Sequence, residues 1–267
     1  MLSGRQNPAA RDHCRRDLWG GKTAVNREVS ADLVRIARVR DLDAATCRAA
    51  RALHHAAFGD DAAFLERLFA AAAEERYLYI RAGSTVVAGC FVCDAVLHAG
   101  DVTLHGGYLY ALCTAAAYRR RGFAHALLGA AVRCTDDFLL TVPGSRSLCD
   151  FYRRAGFTAA LSGCVAVGGS GGSPAPADLQ PGTYADAVRA ARRHGGLLLR
   201  QPLFELSLAE SGAAPCVAGD AFCAVRDGRL FAAIGITPKD PIGEKALLRC
   251  KTPPATDRIF ADLLLEV

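Results

Sequence analysis

Polar and apolar positions first alternate at Leu33-Val34-Arg35-Ile36-Ala37-Arg38, the period of a half-buried strand. The period then lengthens. Ala44 to Phe58 reads as a helix with Asp43 as its N-cap, and after Gly59 the segment Asp61 to Glu75 reads as a second, with Phe64, Leu65, Leu68 and Phe69 on one face. Tyr77 to Arg81 and Val86 to Val92 return to strand character across the turn Ala82-Gly83-Ser84-Thr85. A third run ends at Val96-Leu97 and leads through Gly100-Asp101 to Val102-Thr103-Leu104. The continuous apolar run Tyr108 to Thr114 predicts a central strand covered on both faces. A helix over Gly122 to Cys134, a strand over Leu139 to Val142 and a helix from about Ser147 to Arg154 follow, closed by Gly156-Phe157. This order predicts an α/β (mixed α+β) fold around one mixed sheet.

Past Val167 the pattern stops at Gly168-Gly169-Ser170-Gly171-Gly172-Ser173-Pro174-Ala175-Pro176, a linker by composition. A second unit starts with a helix over Tyr184 to His194. A hairpin about Asp227-Gly228 joins Cys223–Arg226 to Arg229–Ala232, and strands at Ala246–Arg249 and Ile259–Leu265 end it. The expected division is 1–32 as a flexible leader, 33–163 as the first domain, 164–182 as linker and 183–267 as a smaller α/β domain. Some 85 residues hold a marginal core, so this second unit is expected to lean on the first.

The chain has 267 residues, 51% hydrophobic and 22% charged, the composition of a packed globule. Basic residues exceed acidic ones by 32 to 27, and the charge is spread along the chain, which argues against nucleic acid as a partner. No apolar run approaches the roughly 18 residues a membrane helix needs, and the first thirty residues lack the core of a secretory signal. Eleven cysteines without framework spacing then read as free thiols in a reducing cytoplasm.

The segment Tyr118-Arg119-Arg120-Arg121-Gly122-Phe123-Ala124-His125 carries the most chemistry. It stands between a buried strand and a helix, where unpaired N–H groups and the helix dipole form an anion site suited to a pyrophosphate. It lacks both the Gly-Lys-Ser/Thr element of a Walker loop and the three glycines of a dinucleotide fingerprint. R-x-x-G-x-A at Arg119, Gly122 and Ala124 resembles the acyl-CoA signature of the GCN5-related N-acetyltransferases. About thirty residues later, Phe151-Tyr152-Arg153-Arg154-Ala155-Gly156-Phe157 resembles that family's second signature. The layout is also similar to the two-domain subgroup related to the enhanced-intracellular-survival acetyltransferases, in which a degenerate domain follows the complete one.

The resemblance implies the acyl-CoA N-acyltransferase fold, a central mixed and mostly antiparallel sheet flanked by helices, with acetyl-CoA as co-substrate and an amine as acceptor. It places pantetheine along Leu112, Cys113 and Thr114, and the pyrophosphate on the amides of Arg119, Arg120, Arg121, Gly122, Phe123, Ala124 and His125. Ser145 and Phe151 adjoin the cofactor. Tyr152 matches the general acid toward the departing thiolate, and a backbone N–H near Cys113 is the candidate oxyanion donor. The family commonly has Asn at Ser145 and a small residue at Leu148. The general base is left open among a water chain, Asp94 and the terminal carboxylate of Val267, which in the subgroup enters the active site. A CoA-binding regulatory or assembly module without turnover is the alternative reading.

Other residues read as packing. Cys113 on a buried strand is an inert thiol, and Cys90 and Cys93, three apart on a strand, face opposite ways and form no zinc site. No metal is expected. His54, His55 and His125 lack ligand partners at useful spacing. A tandem arrangement can present a dimer surface, so a homo-oligomer is compatible with the sequence.

Overall fold

The structure, a computed structural model, describes residues 33–163, 174–237 and 242–250. The leader, the glycine–serine half of the linker, the expected strand over Ile259–Leu265 and Val267 lie outside the described residues.

The first sheet is built from β1 (Arg35–Arg38), β2 (Arg76–Ala82), β3 (Thr85–Ala99), β4 (Val102–Thr114), β5 (Phe138–Thr141) and β6 (Ala159–Gly163). Two later strands join it, β8 (Gly196–Leu199) and β12 (Ile242–Cys250). The order is β1-β2-β3-β4-β5-β12-β6, with β8 paired to the far half of β3. Only β4 and β5 run parallel; the remaining pairs are antiparallel. Two pairs of runs that read as separate strands are single long ones. His105-Gly106-Gly107 continues the ladder to β3 without a break, so β4 spans the whole stretch from Val102. β3 likewise runs unbroken to Ala99.

Helices α1 (Ala44–Phe58) and α2 (Ala62–Ala71) cover one face of this sheet. Asp43 caps α1 by accepting the Thr46 N–H at 2.8 Å, and Asp61 caps α2 through the Phe64 N–H at 2.7 Å. α2 stops at Ala71, short of the expected Glu75, because the next residues turn to bring Glu75 under the sheet. Helices α3 (Phe123–Arg133) and α4 (Arg146–Arg154) cover the other face. Cys93 packs in the first core and Cys90 in the second, as residues three apart on a strand must.

The second unit contains β7 (Gln180–Pro181), α5 (Tyr184–His194), α6 (Gln201–Ser211), β9 (Ala214–Ala218), β10 (Ala221–Arg226) and β11 (Arg229–Ile234). β11-β10-β9-β7 form a separate antiparallel sheet. The Asp227-Gly228 turn has positive φ at both residues, the geometry a tight two-residue hairpin requires. α6 was not evident from its apolar pattern. It buries Leu203 and Leu206 in the first core and Phe204 and Leu208 in the second unit's core, so it has no single apolar stripe.

The division expected at the linker does not separate the sheets. β8 and β12, both from residues after 183, pair within the first sheet. A cluster of charges closes the junction. β3 last pairs with β2 at Val92 and first pairs with β8 at Ala95, so the backbone between them falls in a gap. There the Asp94 N–H donates to Glu75 Oε2 at 2.6 Å. Arg200, just after β8, reaches back to Asp94 Oδ2 at 2.6 Å and lies 3.4 Å from Glu75 Oε1, while Arg76 holds Asp94 Oδ1 at 2.7 Å.

Glu75 is 1% exposed, and burial pushes its carboxyl from the usual 4.5 up to about 7; the Asp94 carboxylate adds to the rise, against Arg200 and Arg76. The folded chain thus holds this proton more tightly than the unfolded chain. That contribution is complete below the unfolded value and is lost as pH rises through about 7. Glu75→Gln fixes the neutral form. Chemical denaturation at about pH 5 and about pH 8 should show wild-type stability falling by up to about 3 kcal/mol more than the variant's.

Candidate active site

β4 and β5 pair only from Gly106↔Phe138 to Tyr108↔Leu140. Gly106 makes that contact feasible, because a Cβ there would stand 2.3 Å from the Phe138 carbonyl oxygen. Beyond Tyr108, β4 runs on to Thr114 while the chain after Thr141 leaves for α4, and the two strands part. Thr141 spans the start of this opening, donating from Oγ1 to the Leu109 carbonyl at 3.1 Å.

β4 carries a bulge in this stretch. Gly89 pairs with Cys113 and Phe91 with Tyr110, so Cys90 faces both Ala111 and Leu112. Ala111 has φ of 54°, a left-handed value that a non-glycine residue seldom adopts. The extra residue takes backbone polar groups out of the ladder and turns them from the β3 partner. Oxyanion donors of this kind are fixed before a reaction starts. Leu112 packs toward α3 and α4, whereas Cys113 lies on the opposite face and donates its thiol to the Gly89 carbonyl at 3.7 Å. Burial pushes the Cys113 thiol up to about 12, which keeps it protonated and inert at neutral pH. Thr114 Oγ1, at the strand's end, is a buried polar atom with no partner among the described residues.

After a single 3-10 turn the chain reaches α3. Arg120 has φ of 61° and Gly122, the N-cap, φ of 85°. Left-handed residues at alternate positions of a turn favour a concavity of backbone N–H groups, an anion nest. The first bond within α3 runs from the Ala126 N–H to the Gly122 carbonyl, which leaves the N–H groups of Phe123, Ala124 and His125 without helical acceptors. No side chain caps them. The arginines are exposed at the rim: Arg119 Nε donates to the Thr114 carbonyl at 3.2 Å, and Arg121 lies 5.2 Å over the Tyr118 ring.

α4 stands across the opening. Ser145 caps it by accepting the Leu148 N–H at 3.3 Å, so its hydroxyl serves the helix end itself. Leu148 is exposed. Phe151 meets His125 edge-on with centroids 4.9 Å apart, tying α4 to the start of α3. Tyr152 is 6% exposed, flanked by Phe151 and Phe157, and burial pushes its phenol up to about 12. Thr141 stands beside this hydroxyl and acts to lower the phenol's value, against the larger effect of burial, while Thr141 Oγ1 donates to the Leu109 carbonyl. Thr141 is a site residue the sequence reading missed; a threonine ending an apolar strand just before Val142-Pro143 is the available signal.

Asp94 and His54 stand away from this opening. Asp94 is engaged by two guanidinium groups at the β2–β8 junction and pairs with Gly107, about four strand residues or roughly 13 Å from the bulge. It is not placed to serve as a base. His54 is fully buried among aromatic rings and bonds the Tyr77 hydroxyl through Nε2 at 3.2 Å. Val267 lies outside the described residues. Among the described residues no cluster of histidine, cysteine and carboxylate side chains could hold a metal ion. The N–H nest, the parted strands and the orphaned Thr114 hydroxyl together fit a long, anionic, hydrogen-bonding ligand such as an acyl-CoA.

Residues 38–160 match the family model described as an acetyltransferase (GNAT) domain. A search of curated protein sequences finds no match. Solved structures share the fold. A GCN5-related N-acetyltransferase from Kribbella flavida aligns at a TM-score of 0.53 and 15% identity, over 81% of this chain and 72% of its own. Eis1 from Mycobacterium abscessus aligns at a TM-score of 0.50 and 15% identity, over 81% and 73%. A GCN5-related N-acetyltransferase from Anabaena variabilis gives a TM-score of 0.52 and 14% identity, over 81% and 72%. At these identities the likeness is one of fold. With the family match over both signatures, residues 38–160 form a GCN5-related N-acetyltransferase domain.

Proposed function

We propose that the chain transfers an acetyl group from acetyl-CoA directly to an amine in a ternary complex. The observation that carries this reading is the uncapped N-terminus of α3, entered through two left-handed residues, at the end of a strand parted from its neighbour. The nest at Arg119–His125 holds the diphosphate through backbone N–H groups, and the arginines contribute charge at its rim. Pantetheine follows Leu112, Cys113 and Thr114 along the open edge of β4, with the Thr114 hydroxyl as a partner and Phe151 beside it. Ser145 caps its own helix and contributes by setting where α4 begins.

The acceptor nitrogen attacks the thioester carbon with its lone pair, and the carbon–sulfur bond breaks as CoA leaves. A backbone N–H at the bulge stabilises the intermediate oxygen charge. Tyr152 donates its proton to the sulfur, and the nitrogen gives up a proton, so charge balances. A water chain is our candidate to receive that proton. The catalytic unit is 33–163 completed by β12, with the rest of 183–267 as a degenerate, accessory unit. The scattered cysteines of the sequence are in keeping with a reducing, cytoplasmic setting. Among the described residues no helix is long and apolar enough to cross a membrane.

Calorimetric titration with acetyl-CoA, followed by a free-thiol readout across an amine panel, tests the proposal. Stoichiometric binding and amine-dependent thiol release are expected. Binding without thiol release would favour a CoA-binding module instead, a reading that the burial of Tyr152 favours. Absence of binding sinks both.

A further inference from the structure

A cleft of about 960 Å³ opens between the two units, away from the parted strands. Its floor is the far half of β3 and β4. Along β3, Ala95 and Leu97 enter the first core, so the alternate residues Val96 and His98 face the other way, onto the cleft. The ladder sets His105 opposite Val96 and Thr103 opposite His98, and Leu198 of β8 pairs with Val96 from the other side. Helix α5 supplies the wall. Ala187, Ala190 and Ala191 pack into the second unit's core, and Tyr184, Val188 and Arg192, spaced four apart, line the cleft from one face. His105 stands six strand residues, roughly 20 Å, before the bulge at Ala111.

Three polar side chains keep donors here that the fold does not use. Arg192 has no ion pair or hydrogen bond among the described residues, whereas its neighbours Arg189 and Arg193 are engaged by Asp186 and Asp220. His98 Nδ1 lies 3.0 Å from Thr103 Oγ1; with Thr103 donating, Nε2–H is left to donate in turn. The His105 ring has no partner among the described residues. The carboxylates are engaged or wet. Asp94 is taken up by Arg76 and Arg200, and Asp101 and Asp136 stand exposed in the bordering turns, where water weakens their repulsion of an anion. His98 is lowered from its ordinary value by burial first, then by the charges of Arg192 and His105, and an anion seated among the three relieves that repulsion. Val96, Val188 and Leu198 set apolar surface beside these donors, the combination that holds small molecules.

We infer that this cleft is a second ligand site, separate from the opening between β4 and β5, for a small organic anion. Arg192, His98 and His105 hold its carboxylate or phosphate, and Val96, Val188 and Leu198 take its apolar body. Such a ligand touches both units at once and stabilises the folded chain by mass action. The site stands whether or not acetyl transfer occurs at the parted strands.

The test is calorimetric titration of the full chain, with excess acetyl-CoA present, using 4-phenylbutyrate, phenyl phosphate and the uncharged 4-phenylbutanol. Each anion should bind once per chain and raise the thermal unfolding temperature, and the alcohol should bind about tenfold more weakly or less. The tighter anion identifies the preferred headgroup. Arg192→Gln should weaken anion binding by about tenfold. Arg189→Gln removes the same charge from the same helix outside the cleft and should leave affinity within about twofold. No saturable binding, an alcohol bound as tightly as the anions, or equal losses in the two arginine variants would overturn the inference. So would anions that bind only when acetyl-CoA is left out, since they would be occupying the N-terminus of α3. Anion binding by a chain that takes up no acetyl-CoA sustains this site and sinks the transfer reading alone.

Discussion

Gly122→Val should weaken acetyl-CoA binding by about 100-fold while the protein stays folded. Gly122 has φ of 85°, a region that a β-branched residue enters only under strain. The left-handed conformation costs an L-residue about 1–2 kcal/mol, well within what a domain of this size tolerates. Ligand binding suffers far more. The residue lies at the point where the N–H groups of Phe123, Ala124 and His125 are left without helical partners, and a branched side chain there shields them from the diphosphate. Losing two charge-assisted hydrogen bonds of about 1.5 kcal/mol each weakens affinity by about 100-fold. Calorimetry reads the affinity and thermal denaturation the fold. Affinity retained within a few-fold would mean that the diphosphate sits elsewhere. The neighbouring arginines provide the contrast: their exposed side chains act at the rim, so Arg120→Ala should cost far less than Gly122→Val.

Tyr152→Phe should lower kcat by about 100-fold and leave the dissociation constant for acetyl-CoA within about twofold, since a positioned proton donor contributes about that much to the chemical step alone. The ring packing against Phe151 and Phe157 survives the change. Only the hydroxyl beside Thr141 is lost, a stability cost of about 1 kcal/mol. The pH profile gives a second reading. A general acid must be protonated, and burial pushes this phenol up to about 12, so the wild-type rate should fall from this cause only as pH rises through about 12. The variant should therefore run parallel to wild type, lower at every pH below that point. A kcat unchanged by Tyr152→Phe reduces the residue to a core aromatic whose hydroxyl braces the opening between β4 and β5.

Local chemistry wrote much of this molecule into the sequence. Helix α1 begins after Asp43 and ends before Gly59 as its capping residues dictate, and α5 runs over the expected Tyr184–His194. The Asp227-Gly228 turn, the strand–glycine–helix passage at Gly122 and the order of the two signatures were equally legible, because each depends on residues within a few positions of one another. Elements with two buried faces were not. α6 divides its leucines and phenylalanines between two cores and shows no stripe, and β8 is four residues that form a strand only because β3 offers an edge.

Contacts across long separations in the chain belonged to the tertiary structure alone. Nothing near Glu75 in sequence announces Arg200, and nothing near Thr141 announces Tyr152 or the Leu109 carbonyl. The sequence proposed a boundary at the linker, and the fold carried β8 and β12 across it into the first sheet. Capping, turn geometry and periodicity are properties of short segments and can be read one segment at a time. Which strand fills a gap, and which guanidinium faces which carboxylate, depends on burying apolar surface over the whole chain, and that outcome exists only once the chain has closed on itself.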